Sequence, residues 1–498
     1  MDIRVLTGAI QESDAEAVVI SLFEGVTAPE GAARLVDEAL NGAVSDLLGA
    51  GDFTGASGQV VVLYPRGALP ARRVMLVGLG KQSELNVEAV RHAAAHAALK
   101  ARDLKVKRLA TILHGAGQEG LSAAAAAYAV VEGTRLALYR YQAPRQGESL
   151  PEVEALELLA GEGEAAAVQQ AVEQAEAVVA GVTLARDLVN LPPNICTPSY
   201  LAEAATAAAD AVGLRVQVLE RGQMQALGMN ALLAVAQGSE TPPRFIILEH
   251  NATRAGELPS IVLVGKGITF DTGGYNLKPT ESMATMKTDM AGGAAVIGAL
   301  RAIGALKVPL HVVGLVPAAD NMISGHAYRP QEVIRASNGV TIEISNTDAE
   351  GRMLLADALV FAARFKPSAV VDIATLTGAC VVALGAVAAG LFSTSDALRD
   401  VLLAAAEATN EKLWPLPLYP EYEKAIESKV ADIQNTGGRT SGVGASATFL
   451  KHFVSYPAWA HIDMAGLAAN AKDNPYIPEG ATGYGVRLLT EFVRRWTA

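Results

Sequence analysis

Cysteine is scarce in this 498-residue chain: only Cys196 and Cys380 occur, far apart and in apolar or turn contexts. That excludes a disulfide framework, and without CxxC spacing it excludes a cysteine-built zinc or redox site; both are expected to be reduced thiols. Aromatic residues are only 5% of the chain and charged residues 18%, against 51% hydrophobic, a balance that excludes a disordered chain and suits helices packed closely on sheets. Positive charge is in deficit, 40 Lys and Arg against 52 Asp and Glu. A net charge of -12 repels phosphate backbones, so general nucleic-acid binding is disfavoured. No uncharged apolar run of about 18 residues is present, and MDIRVLTGAI lacks a basic stretch followed by an apolar one. The expectation is therefore no membrane segment and a cytoplasmic location. Common nucleotide and hydrolase motifs are missing too: there is no GxxxxGK[ST] and no GxSxG, and Gly78/Gly80 lack a third dinucleotide-binding glycine. His92 and His96 share a helical face without the glutamate of HExxH, and His461 reads as a core histidine.

The length predicts two domains. Residues 1–165 alternate β-branched runs (4–6, 17–22, 60–64, 74–77 and 109–113) with helical stretches at 90–101 and 122–138, which predicts an α/β domain. A polar loop is expected at 142–152. The Pro-free, Ala- and Glu-rich run 162–186 predicts one long helix, ended by the prolines of NLPPN, so 166–190 is taken as the connector. In 191–498, strands are expected at 215–219, 244–249, 261–264, 311–316, 340–344, 369–373 and 460–464. Helices are expected at 290–303, 351–365, 395–408 and 446–455.

Ligands bind at the carboxyl ends of strands in open α/β sheets, so polar residues there are the informative ones. In VGKGITFDTGGYNLKP (264–279) the apolar strand runs into Lys266, then Asp271, two glycines and Lys278; a Lys in that place is expected to be partly buried and to need a partner. In MKTDMAGG (286–293) Asp289 stands near a helix start, where an N-cap or dipole role is its simplest reading. In SNTDAEGR (345–352) Asp348 and Glu350 are two apart, so in extended geometry both point to one face, with Arg352 opening the next helix. Asp357, seven residues beyond Glu350, is expected to be structural. Four clustered carboxylates repel and lose hydration unless cations are shared among them, which points to a two-metal centre.

These blocks resemble the leucyl aminopeptidase, or cytosol aminopeptidase, family. NTDAEGR (346–352) is its signature, and GKGITFDTGG (265–274), MKTDM (286–290), NLPPN (190–194) and NTGGR (435–439) match in order and spacing across 165–498. The resemblance implies a smaller N-terminal α/β, macro-like domain and a larger C-terminal α/β/α metallopeptidase domain with a mixed central sheet. It implies one ion held by Lys266, Asp271, Asp289 and Glu350, and another by Asp271, Asp348 and Glu350. Lys266 would then be neutral, its pKa depressed by burial and the cations. Lys278 would stabilise the oxyanion and Arg352 would hold a bicarbonate acting as general base. Met286 would line an apolar pocket for the first side chain, with Thr375 and Leu376 forming its wall and binding substrate backbone. Implied also are peptide substrates with Leu- or Met-like first residues, Mn²⁺ or Zn²⁺ (Co²⁺ or Mg²⁺ as alternatives), and a homohexamer built as a dimer of trimers. Tyr275 and Asn276 depart from the family pattern beside Lys278 and bear on the substrate profile. Two other readings remain open: DNA binding through a basic patch around Arg72, Arg73, Lys105, Lys107 and Arg108, and a phosphoesterase on the same carboxylates.

Overall fold

Runs of Val, Ile and Leu separated by Ala-rich stretches form a layered first unit, Met1–Val179 with Lys472–Pro478, in the computed structural model. The structure describes residues 1–142, 152–438, 440, 442–470 and 474–496, so the loop expected at 142–152, its two end residues apart, and Arg439 of NTGGR lie outside the described residues. Strands β1 (Asp2–Thr7), β2 (Ala17–Leu22), β3 (Val60–Leu63), β4 (Arg73–Gly78), β5 (Arg108–Ile112) and β6 (Ala155–Ala160) form a sheet of order β1-β6-β5-β2-β4-β3. All pairs are parallel except β3 with β4. Because side chains alternate along a strand, Val19, Met75, Val77 and Leu109 pack on the helices Val87–Asp103 and Ala123–Ala137. Val18, Ile20, Val74 and Leu76 face the other way, onto Ala33, Val36 and Val44 of two short helices, Gly31–Ala39 and Ala43–Ala50.

Those two helices and β6 were not anticipated. The second helix contributes only Val44 as a fully buried side chain, too little to imprint a period. Instead the buried Asp37 of the first helix fixes the second, accepting from Val44 N at 2.7 Å and Ser45 N at 3.0 Å. His92 lies beside Glu88 at 3.0 Å and edge-on to Tyr476, a packing role. Of the basic residues noted above, Lys107 is paired with Glu154 at 2.8 Å and Arg108 with Asp14 at 2.6 Å, so they do not form a bare cationic patch.

The second unit, Ala180–Ala471 with Glu479–Ala498, carries the larger sheet. Its strands are β7 (Arg215–Leu219), β8 (Arg244–His250), β9 (Ser260–Gly265), β10 (Gly267–Asp271), β11 (His311–Asn321), β12 (Val333–Arg335), β13 (Thr341–Glu343), β14 (Ala369–Ala374), β15 (Ala389–Ser393), β16 (Leu413–Pro415), β17 (Ile433–Gln434) and β18 (Trp459–Asp463). The main sheet runs β16-β15-β18-β14-β9-β11-β8-β7, with β10 also on β11; β12, β13 and β17 form a small separate sheet. The main sheet is mixed, with a parallel centre and antiparallel pairs β11/β8, β8/β7 and β15/β18. On one face, Val262, Val264, Val370 and Ala374 pack with Leu354, Leu355, Ala358 and Leu359 of the helix Gly351–Ala362.

Across the sheet lies the helix Ala291–Leu306. The longer stretch Met286–Leu306 is apolar enough by composition to cross a membrane, yet 83% of its apolar window is buried within the fold. It approaches the strands through glycine: a Cβ on Gly292 would lie 2.2 Å from Ile373 O, and one on Gly265 would lie 2.4 Å from Gly292 O. That close approach brings the residues just before the helix against the end of β9. The strand β10 is not among the strands expected from the sequence. It continues the line of β9 along the same neighbour β11, after an interruption at Lys266. Its pairing shifts between Ile268 and Phe270, and this irregularity weakens the strand signal in the sequence.

Candidate active site

Lys266 occupies the gap between β9 and β10, where its N–H donates to Ile373 O at 3.1 Å. Its side chain is 3% exposed, so an ammonium there needs acceptors. Nζ donates to Asp289 Oδ1 at 2.8 Å and to Thr375 O at 2.9 Å, and lies 2.7 Å from Glu350 Oε1. Gly351 leaves room for this side chain: a Cβ there would lie 2.6 Å from Lys266 Cε and would push the ammonium from its place.

Asp271 ends β10. Its Oδ1 accepts from Gly273 N and Asn321 Nδ2, both at 2.8 Å, while Oδ2 lies 2.8 Å from Lys278 Nζ. Gly273 and Gly274 both have positive φ and turn the chain so that Lys278 returns over Asp271; Lys278 Nζ also lies 2.6 Å from Asp348 Oδ1. Asp348 and Glu350 are not in an extended run, as the sequence reading had it. They lie in a turn, and Glu350, with helical backbone, is the N-cap of the helix Gly351–Ala362. The turn still converges them: one oxygen each of Asp271, Asp348 and Glu350 fall within 4.8 Å of one another.

Asp289 is not a helix cap. Met290 holds that position, and Asp289, in the 3-10 turn Met286–Met290, directs Oδ1 at Lys266 Nζ and at Thr375 Oγ1, the latter 2.7 Å away. Its Oδ2 is buried with no hydrogen-bond partner among the described residues. Glu350 Oε1 and Asp348 Oδ1 each lie against one lysine ammonium, of Lys266 at 2.7 Å and of Lys278 at 2.6 Å. Thr375 therefore contacts both Lys266 and Asp289. Leu376 is half-buried against the core and its N–H donates to Asp463 Oδ1 at 3.2 Å; Met286 is half-buried at the start of the Asp289 turn. An apolar cavity of about 370 Å³ lined by Pro193, Phe270, Thr280, Met283, Ala284 and Lys287 holds none of these three residues.

The electrostatics of the cluster follow from burial and crowding. Burial, then the neighbouring carboxylates, raise the pKa of Asp271. Burial likewise raises those of Asp289 and Asp348, outweighing the lysines beside them. For Glu350, burial pushes upward but Lys266 and Lys278 prevail, and its pKa is lowered. Burial pushes Lys266 and Lys278 down, and the surrounding carboxylates more than reverse it, so the chain's own groups hold both ammoniums charged. The neutral Lys266 that the family resemblance implies thus requires further positive charge in the site. Burial lowers the Arg352 pKa to about 10. Its Nη1 donates to Asn435 O at 2.7 Å, and its buried Nε has no partner among the described residues.

Sequence reasoning missed two buried groups that shape these loops. Asn321, at the end of β11, bonds both Asp271 Oδ1 and Thr347 O. Asp463, at the end of β18, accepts from Leu376 N, Thr377 N and Thr377 Oγ1, fixing the segment that carries Thr375. Both stand at carboxyl ends of buried strands, the signal that found Asp271. Asp357 accepts from Leu232 N at 3.0 Å and Ser337 N at 2.9 Å, a structural role. His461 is bonded to Asp372 at 2.5 Å through Nδ1, while its Nε2 is buried without a partner. Both cysteines are buried thiols whose pKa burial pushes up to about 12.

The chain is matched by known proteins over nearly its whole length. Residues 183–490 match the model of the cytosol aminopeptidase family catalytic domain, and 19–147 match that family's N-terminal domain. A probable cytosol aminopeptidase of Roseiflexus castenholzii is 44% identical over all of both chains. The cytosol aminopeptidase of Pseudomonas aeruginosa is also 44% identical, over 93% of each. Among solved structures, a variant of tomato leucine aminopeptidase superposes with TM-score 0.89 at 36% identity, covering 99% of this chain and 96% of that one. The bottromycin maturation enzyme BotP in complex with Mn superposes with TM-score 0.85 at 36% identity, covering 96% and 99%. With both of its domains matched over nearly the whole sequence, the chain belongs to the cytosol aminopeptidase family and is an aminopeptidase.

Proposed function

We propose that this aminopeptidase is a two-cation hydrolase that removes Leu- and Met-like residues from the amino ends of peptides. The observation that carries the reading is the convergence of Asp271, Asp348 and Glu350 oxygens within 4.8 Å. Close by, Asp289 Oδ2 is buried with no hydrogen-bond partner among the described residues, and only two lysine ammoniums face the four carboxylates. Buried carboxylates so placed are short of positive charge, and their hard oxygens suit divalent cations. Asp271, Asp289, Glu350 and Lys266 would hold one ion and Asp271, Asp348 and Glu350 the other. When bound, such ions supply Lewis acidity to a water, to the scissile carbonyl and to a free α-amine. Manganese is favoured by the BotP relative, and an oxygen-rich set also accepts Zn²⁺, Co²⁺ or Mg²⁺.

The chain's own groups complete the chemistry. Lys278, positioned between Asp271 and Asp348, donates to the oxyanion that forms on the scissile carbonyl. Arg352 offers its unpartnered buried Nε to a bicarbonate, which takes the proton of the attacking water. Met286 lines the pocket for the first side chain, and Thr375 and Leu376 contact substrate backbone while Thr375 keeps Asp289 and Lys266 in place. A hexameric assembly, a dimer of trimers acting in the cytoplasm, completes the reading. Exposed Val382, Val387 and Trp414 offer apolar surface for it to bury.

Chelation followed by gel filtration tests this. Activity on leucine p-nitroanilide is expected to disappear with the bound metal, as measured by elemental analysis, and to return with Mn²⁺. Full activity in protein shown to be metal-free would overturn it.

A further inference from the structure

Asn435 follows β17 directly, and its N–H donates to Glu343 O of β13 at 2.9 Å. Its side chain is fully buried. Oδ1 accepts from Ser345 N at 2.9 Å, Ser345 Oγ at 3.2 Å and Asn346 N at 3.2 Å. Nδ2 donates to Asn346 O at 2.7 Å and Ala349 O at 3.4 Å. Asn346, held in this way, accepts from Asp348 N through its own side chain at 2.8 Å. The same Asn435 supplies the carbonyl that takes Arg352 Nη1 at 2.7 Å.

One residue from a distant part of the chain thus organises the irregular segment carrying Asp348 and, through its carbonyl, the guanidinium seven positions after Ser345. The segment from Ser345 to Glu350 is neither helix nor strand, so it has no ladder of its own to fix Asp348. A buried amide whose donor and acceptor sides are both engaged leaves it one arrangement.

We propose that Asn435 is a positioning residue for the reaction: it sets Asp348 and Arg352 relative to each other, so that the cation-holding and anion-holding sides of the site form together. This rests on the two-cation reading above. Partners that orient ligands in this way typically affect metal affinity or turnover by about 10–100-fold.

The test compares purified wild type, Asn435→Ala and Asp432→Ala. Asp432 is the control, because it fastens the same small sheet by accepting from Thr341 N and Oγ1 but touches nothing in the 345–352 segment. Mn²⁺ binding is titrated by the electron paramagnetic resonance of the free ion, alongside kcat, KM and Tm. Asn435→Ala is expected to weaken the weaker Mn²⁺ site by about 10–100-fold and lower kcat similarly, with KM little changed. Asp432→Ala is expected to lower Tm while keeping Mn²⁺ affinity and kcat. Wild-type Mn²⁺ affinity in Asn435→Ala overturns the inference, as does equal loss in Asp432→Ala at matched Tm. If Asn435→Ala does not fold, Asn435→Ser, which retains a small hydroxyl, is read by the same two criteria. A wild type that binds no Mn²⁺ would instead overturn the two-cation reading itself.

Discussion

Glu350→Ala is expected to leave at least one cation site empty and to lower activity about 100-fold or more. The physical reason lies in its setting. Glu350 is buried and is the one carboxylate of the four whose pKa is lowered, because Lys266 and Lys278 outweigh its burial. It is therefore the most firmly ionised acceptor of the cluster. It also stands between the two proposed ion positions, sharing the 4.8 Å cluster with Asp271 and Asp348 while lying 2.7 Å from Lys266. Lys266 retains Asp289 at 2.8 Å in the variant, so the chain is expected to fold. Metal analysis after gel filtration reads the result; a full complement of two ions would remove Glu350 from the bridging role.

Lys278→Ala is expected to separate chemistry from metal binding. Removing a preorganised oxyanion donor lowers kcat by about 10²–10³, or about 2.7–4 kcal/mol in barrier. Lys278 approaches Asp271 and Asp348 from the loop after the glycine turn and is partly open to solvent, as a group that meets substrate must be. Both ions are expected to remain, since the carboxylates that hold them are untouched, and KM is expected to move little. An unchanged kcat would rule out the oxyanion role; loss of both ions would recast Lys278 as part of the metal site.

The residues proposed to bear the chemistry were visible in the sequence because of where they stand. Lys266 and Asp271 lie at the carboxyl ends of the buried strands β9 and β10, and the Asp348–Glu350 pair follows the short strand β13 at the opening of a helix. What the sequence could not convey is how they meet. Asp289 reads as a helix cap, yet the fold turns it onto Lys266 and Thr375, because glycines at 265 and 292 allow the helix start to approach the sheet. The turn at Asp348 and Glu350 converges two carboxylates that an extended run would align. Asn321 and Asp463 stand at strand ends like Asp271, but the partners that give them their roles lie 26 to 87 residues away, and those of Asn435 83 to 92 residues away, so no local pattern shows what they bond. In the first unit, five of the six strands are legible as β-branched runs, whereas β6 is not, and the helices Gly31–Ala39 and Ala43–Ala50 are held by one buried aspartate and few apolar contacts.

The central claim, metal-dependent removal of a residue bearing a free amine, is tested most directly by one paired assay. Hydrolysis of leucine p-nitroanilide is compared with that of its N-acetylated copy, with chelator and after return of Mn²⁺. The account predicts cleavage of the free-amine substrate alone, abolished by chelation and recovered with Mn²⁺. Cleavage of the acetylated substrate at a comparable rate, or cleavage that survives complete metal removal, would contradict it.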